Sequence, residues 1–160
     1  MSKLSIARYA AFRRSRSAST PATRSTWARA PTIWSSKNII DIILKIRAGA
    51  YSFEGANPRH EHEWKVWGHV DLPRHKALIP GVITHSTVLV EHPELVCDRI
   101  VRYAGVVGRE RVIAGADCGF GTFAGSMMIH PTIAWAKLDA LVKGARLASA
   151  QLWDSGAKAA

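Results

Sequence analysis

The sequence predicts an α/β fold on parallel strands, read as the C-terminal portion of a (β/α)8 barrel or as part of an open α/β sheet. Three observations carry this. Short apolar runs of strand length alternate with longer stretches of helical period. Two of the helical stretches open on a proline at the first turn, Pro93 and Pro131. Polar residues also gather just after the strand candidates, at the edge where parallel α/β folds build their sites. Three strand candidates are too few to close a barrel, so the piece reads as incomplete.

In order along the chain, Asn38 can cap a first helix whose apolar face is Ile39, Ile40, Ile43, Leu44 and Ile46, with Ala48-Gly49 as its stop. AYSFE (50–54) is a short buried strand and NPRHEHEW (57–64) a loop or short helix. ALIPGVI (77–83) is a second strand, in which Pro80 signals an irregular end. HPELVCDRIVRYAGVVG (92–108) is a helix that places Val96, Ile100, Ala104 and Val107 on one face and stops at Gly108. RVIAGAD (111–117) is a third strand. HPTIAWAKLDALVKGARLAS (130–149) is a long last helix with Leu138, Leu141, Val142 and Ala145 as its core stripe, and residues 154–160 form a frayed tail.

Composition narrows the function classes. A hydrophobic fraction of 48% and a mean hydropathy of −0.02 fit a soluble globular protein without a membrane partner. The two cysteines, Cys97 and Cys118, exclude a disulfide scaffold and fit a reducing cytoplasm. The net charge of +10 suggests nucleic acid at first sight, but eight basic residues and no acid lie within residues 1–37. From residue 38 onward 14 basic side chains face 12 acidic ones, so the presumptive folded part is nearly balanced, which speaks against a nucleic-acid partner. The irregular Arg/Ser-rich arm has three readings: a transit peptide, a basic arm for nucleic acid, or out-of-frame coding sequence.

The polar residues at the strand ends are Glu54 after the first strand, Thr84, His85 and Ser86 after the second, and Asp117 and Cys118 after the third. A carboxylate, an imidazole and a thiol converging there make a zinc or acid–base constellation. The competing reading is plain: every strand must stop being apolar somewhere, and a lone cysteine is more often a small buried residue than a ligand. Cys97 sits in mid-helix and reads as core. His60 and His62 alternate with Glu61 and Glu63, but HEHE lacks the H-E-x-x-H spacing of zinc proteases, so a substrate-positioning or solvated role fits better. His69, His75, His92 and His130 read as surface or helix-cap residues. GADCGFGTFAG has neither a Walker lysine nor G-x-G-x-x-G, which excludes a phosphate cradle.

Four stretches, SFEGANPRHEHEW (52–64), PGVITHSTVLVEHPELV (80–96), RIVRYAGVVGRERVIAGADCGFGT (99–122) and HPTIAWAKLDALVKGARLAS (130–149), resemble in order the C-terminal catalytic barrel of the cobalamin-independent methionine synthases, above all the shorter single-barrel type. The resemblance covers residues 38–153. It implies a (β/α)8 TIM barrel with one zinc ion, and methyl transfer from a methylated folate to the thiol of homocysteine. In the family, zinc lowers the pKa of the acceptor thiol so that a thiolate attacks the methyl group. By resemblance Glu54 and Cys118 match two zinc ligands and Asp117 neighbours the site; Asp117, His60 and His62 are the candidate substrate-binding residues. His85 falls one position from a histidine assigned as proton donor in the larger synthases, while the shorter relatives often carry Asp where Thr84 stands.

The family's other two ligands form an H-x-C motif, and none occurs in this sequence. The resemblance places it inside the Arg/Ser-rich arm. Synonymous codons exist for Ser19–Ala22 that read H-A-C from the third base, and the same offset over Thr26–Lys37 gives LGPRTHDLVVE, as a frameshift over residues 13–37 would. On this reading the chain is a fragment, inactive or weakly folded by itself. Two other functions compete: a different zinc-dependent thiol alkyl transfer, such as epoxyalkane–coenzyme M transfer, and a non-catalytic fragment with a nucleic-acid-binding arm. A nucleic-acid arm would show steep salt dependence.

Overall fold

The computed structural model describes residues 36–120 and 129–154. The arm up to residue 35 and the tail beyond Asp154 lie outside them. The elements are helix α1 (Ser36–Ile43), strand β1 (Ala50–Phe53), a 3-10 segment (Glu61–His69), strand β2 (Ala77–Ile83), helix α2 (Pro93–Val107), a second 3-10 turn (Arg109–Arg111), strand β3 (Gly115–Ala116) and helix α3 (Pro131–Asp154). The strands form a three-stranded parallel sheet in the order β1-β2-β3. Parallel neighbours need crossovers: α2 links β2 to β3, and the 3-10 segment lies between β1 and β2. The parallel order β1-β2-β3 is consistent with part of a (β/α)8 barrel, and the described residues do not close one.

Helix α1 is shorter than the apolar pattern implies. It ends at Ile43, and the chain turns through Leu44–Ile46, where the Ile46 N–H bonds the Ile43 carbonyl at 3.0 Å. Ile40 is buried, whereas Ile42 and Ile46 are exposed, so Ile46 is not core. Strand β2 spans the expected residues. Pro80 stands in its middle rather than at an end, paired with Phe53 of β1. On the β3 side it falls between the Leu78–Val112 bridge and the Gly81–Gly115 pair, the interval where a residue without an N–H is tolerated. The third strand, expected over 111–117, is reduced to Gly115 and Ala116. A 3-10 turn occupies Arg109–Arg111, and a register shift between Gly81 and Ile83 limits the pairing.

Helix α2 matches its pattern. His92 caps it by accepting the Glu94 N–H at 3.3 Å, Gly108 closes it, and Val96, Cys97, Ile100, Ala104 and Val107 are buried. Helix α3 buries a different stripe from the expected one. Lys137, Ala140, Gly144 and Ala148 face inward, Leu138, Leu141 and Ala145 flank them, and Val142 is exposed. The shift has a steric cause. A Cβ on Gly144 would lie 2.5 Å from the Val96 Cβ and 2.7 Å from the Pro93 carbonyl, so the helices approach along small residues and the leucines are displaced to the rim.

Two apolar clusters hold the sheet. One gathers Ile40, Tyr51, Trp67, Leu72, Leu78, Tyr103 and Val107, with Phe53 stacked on Trp67 at 5.1 Å. The other joins Val82 and Ile83 to Val96, Cys97, Ile100 and Ala148. Among the described residues no helix is long and apolar enough to cross a membrane.

Candidate metal centre

Glu54 directly follows β1, His85 stands two residues beyond β2, and Cys118 two residues beyond β3. Because the strands are parallel, all three positions fall at one edge of the sheet. One ligand atom from each lies within 4.8 Å of the others. The Cys118 thiol donates to Glu54 Oε1 at 3.3 Å, and Asn57 Nδ2 donates to Glu54 Oε2 at 3.3 Å. His85 is 9% exposed, and its buried Nδ1 has no hydrogen-bond partner among the described residues. Cys118 is exposed at the rim and Glu54 half-buried. Partial shielding of the thiol, then its bond to Glu54 and that carboxylate's charge, push the Cys118 pKa up to about 11. A cation among these donors would reverse that bias.

Asp117 is a strut. It is buried, and its Oδ1 accepts the N–H groups of Gly55 at 2.8 Å and Ala56 at 2.9 Å, so the residue before Cys118 fixes the loop after Glu54. Burial raises its pKa, against the lowering effect of the two backbone donors. Its own N–H bonds the Ile83 carbonyl at 3.0 Å, which ties all three strand ends together. Gly81 makes the arrangement possible: a Cβ there would meet Asp117 Oδ1 at 2.0 Å.

Pattern reading overlooks a second support. Glu91 accepts the Thr84 N–H through Oε1 at 2.7 Å and pairs through Oε2 with Lys137 Nζ at 2.9 Å. Lys137, fully buried in α3, also donates to the Leu89 carbonyl. The Thr84 and Ser86 hydroxyls bond each other at 2.8 Å across His85 in sequence. The signal that could have found this clamp is a lysine at i, i+3, i+7 spacing with Ala140 and Gly144, on the face that packs inward.

Of the two histidines expected near substrate, His60 is buried with Nδ1 3.1 Å from Glu63 Oε2, and His62 is exposed. The hydrogen bond to Glu63 raises the His60 pKa against burial, and the charges of Glu63, Glu54 and Asp117 add to the rise. His60 therefore sits in the field of the strand-end carboxylates.

The donor set fits zinc. Carboxylate, imidazole and thiol together suit a borderline-soft divalent ion, whereas magnesium and calcium take oxygen alone. A buried imidazole nitrogen without a partner among the described residues fits a ligand atom of such a site.

No protein-family model matches the chain, and no curated protein matches it. Among solved structures, the chain is similar to a B12-independent methionine synthase from Shewanella sp. W3-18-1, solved in complex with selenomethionine, with a TM-score of 0.60 and 20% identity. The match covers 72% of this chain and 31% of that one, so the chain spans about a third of that protein, and at this identity the likeness is one of fold.

Proposed function

We propose that residues 38–153 are the C-terminal part of a zinc-dependent S-methyltransferase barrel of the cobalamin-independent methionine synthase type, acting on the thiol of homocysteine with a methylated folate as donor. The observation that carries this is the convergence of Glu54, His85 and Cys118 within 4.8 Å at the C-terminal edge of parallel strands. The fold likeness to a methionine synthase supports it.

In this reading Glu54 and Cys118 hold zinc. When bound, the ion supplies a Lewis acid that lowers the pKa of a thiol taken up beside it. Asp117 keeps the loop after Glu54 in place through the Gly55 and Ala56 N–H groups, and Asn57 orients the Glu54 carboxylate. His60 and His62 are assigned to substrate binding in this reading. In the transfer the acceptor sulfur bonds the methyl carbon as the methyl–nitrogen bond of the folate breaks. The electron pair of that bond stays on nitrogen, which takes a proton, and the thiol gives one up.

Thiol recognition is the test. The zinc-loaded chain should bind homocysteine and release a proton on doing so, while homoserine, its oxygen analogue, should bind far more weakly. Equal binding of the two would sink the proposal.

A further inference from the structure

We infer that His85 is a metal ligand, so that Glu54, His85 and Cys118 form a three-residue protein site for a zinc-class divalent cation with one position left open for a thiol. The inference rests on the metal-binding half of the proposed function and is independent of the methyl-transfer half.

Distance comes first. A tetrahedral ion with ordinary zinc bond lengths separates its donors by about 3.5 Å. A ring nitrogen of His85, a carboxylate oxygen of Glu54 and Cys118 Sγ already lie within 4.8 Å of one another, so small side-chain rotations close the set. Among the described residues this is the one group of three such donors. Cys97, the other thiol, faces Gln151 at 3.6 Å from within α2 and takes no part.

The state of the imidazole points the same way. His85 is more than nine-tenths buried, yet its Nδ1 meets no hydrogen-bond partner among the described residues. The neighbouring hydroxyls of Thr84 and Ser86 bond each other, and neither is a partner of Nδ1 among the described residues. In a neutral imidazole the bond made by one ring nitrogen sets which nitrogen is free to ligate, and Nδ1 has no such bond among the described residues. A cation removes the cost of the orphaned nitrogen or, bound at the other nitrogen, fixes the tautomer outright.

The backbone around His85 is held without help from a metal. Glu91 grips the Thr84 N–H and is itself locked by the buried Lys137, while Asp117 joins the β2 end to the β1 loop. Two donors are thus placed by the same set of bonds. Cys118 is exposed at this edge, so a small thiol would reach an ion held there from solvent.

Cobalt(II) titration of the full chain tests this. The wild-type chain should take up one cobalt with a sulfur-to-cobalt charge-transfer band and the intense visible bands of a tetrahedral site. Cys118→Ser should lose the charge-transfer band. His85→Ala should bind at least about tenfold more weakly, the order of loss that even supporting groups of metal sites cause, with altered visible bands. If His85→Ala keeps the wild-type affinity and spectrum, His85 is not a ligand and the Glu54–Cys118 reading stands without it. If the wild-type chain takes up no cobalt, both readings fall. A measurement without a variant guards against misfolding: on adding zinc to the 15N-labelled wild-type chain, one ring nitrogen of His85 should shift, and an unmoved ring overturns the inference.

Discussion

Asp117 concentrates at one side chain what the strand ends need. Its carboxylate satisfies two buried N–H groups. Asp117→Ala should therefore destabilise the fold by about 2–6 kcal/mol, since each of the two orphaned donors costs about 1–3 kcal/mol. Asp117→Asn keeps a carbonyl oxygen and sheds a buried charge, so it should cost less. Urea unfolding of both variants checks the order, and equal losses would remove the strut from the account. His60 supplies a pH signature. Its pKa lies above the ordinary 6.5 through Glu63, with Glu54 and Asp117 adding to the rise. A raised histidine pKa means that the folded chain holds the proton more tightly than the unfolded one. The stabilisation is complete below the unfolded value and disappears as pH rises through the folded value. An NMR titration should place the His60 midpoint above 6.5, and Glu63→Gln should lower it. A midpoint unmoved by Glu63→Gln would show that the bond carries no weight in solution.

At the scale of elements, the α2–α3 contact depends on the absence of a side chain. Gly144→Ala raises helix propensity by about 1 kcal/mol, but the new Cβ would stand 2.5 Å from Val96. Overpacking of this kind costs about 1–3 kcal/mol, so we expect a net loss of stability and a lower Tm. A gain would mean that the helices part without penalty. The Lys137–Glu91 pair joins α3 to the end of β2. Lys137→Met leaves Glu91 buried with its charge uncompensated, and such losses run to about 3–5 kcal/mol. The same change should weaken metal binding, because the Thr84–Glu91 segment carries His85. Lys143→Met on the same helix removes an exposed partner of Asp139 and serves as the control; equal effects of the two would dismiss the clamp.

For the whole molecule, the proposed ion links three separate strand ends. Metal that binds only the folded chain should stabilise it by about 2.7 kcal/mol at a free concentration a hundred times Kd. Chelation should lower Tm, zinc should restore it, and Cys118→Ser should abolish the shift. A Tm indifferent to zinc would leave the strand-end cluster without a cation. The likeness to a methionine synthase, at 31% of that protein's length, is one of fold and is consistent with the α/β arrangement on a parallel sheet. The reaction remains the subject of the homocysteine test.

Residue order alone determined the alternation of helices with parallel strands, the limits of β2 and α2, and the placing of Glu54, His85 and Cys118 after strands. Those features follow from local periodicity, proline at helix starts and the rule that apolar runs end where a sheet edge meets solvent. Tertiary packing decided the rest. The inward face of α3 turned on how closely Gly144 lets Val96 approach, a distance no single-helix pattern contains. The third strand shrank to Gly115–Ala116 because its pairing depends on the register of β2. The sequence left His85 between a zinc and an acid–base role; the fold buries its ring beside Glu54 and Cys118 with Nδ1 lacking a partner among the described residues, and that favours the first. The bonds from Asp117 Oδ1 to two backbone amides, across 61 and 62 residues of chain, are contacts that only a folded sheet creates.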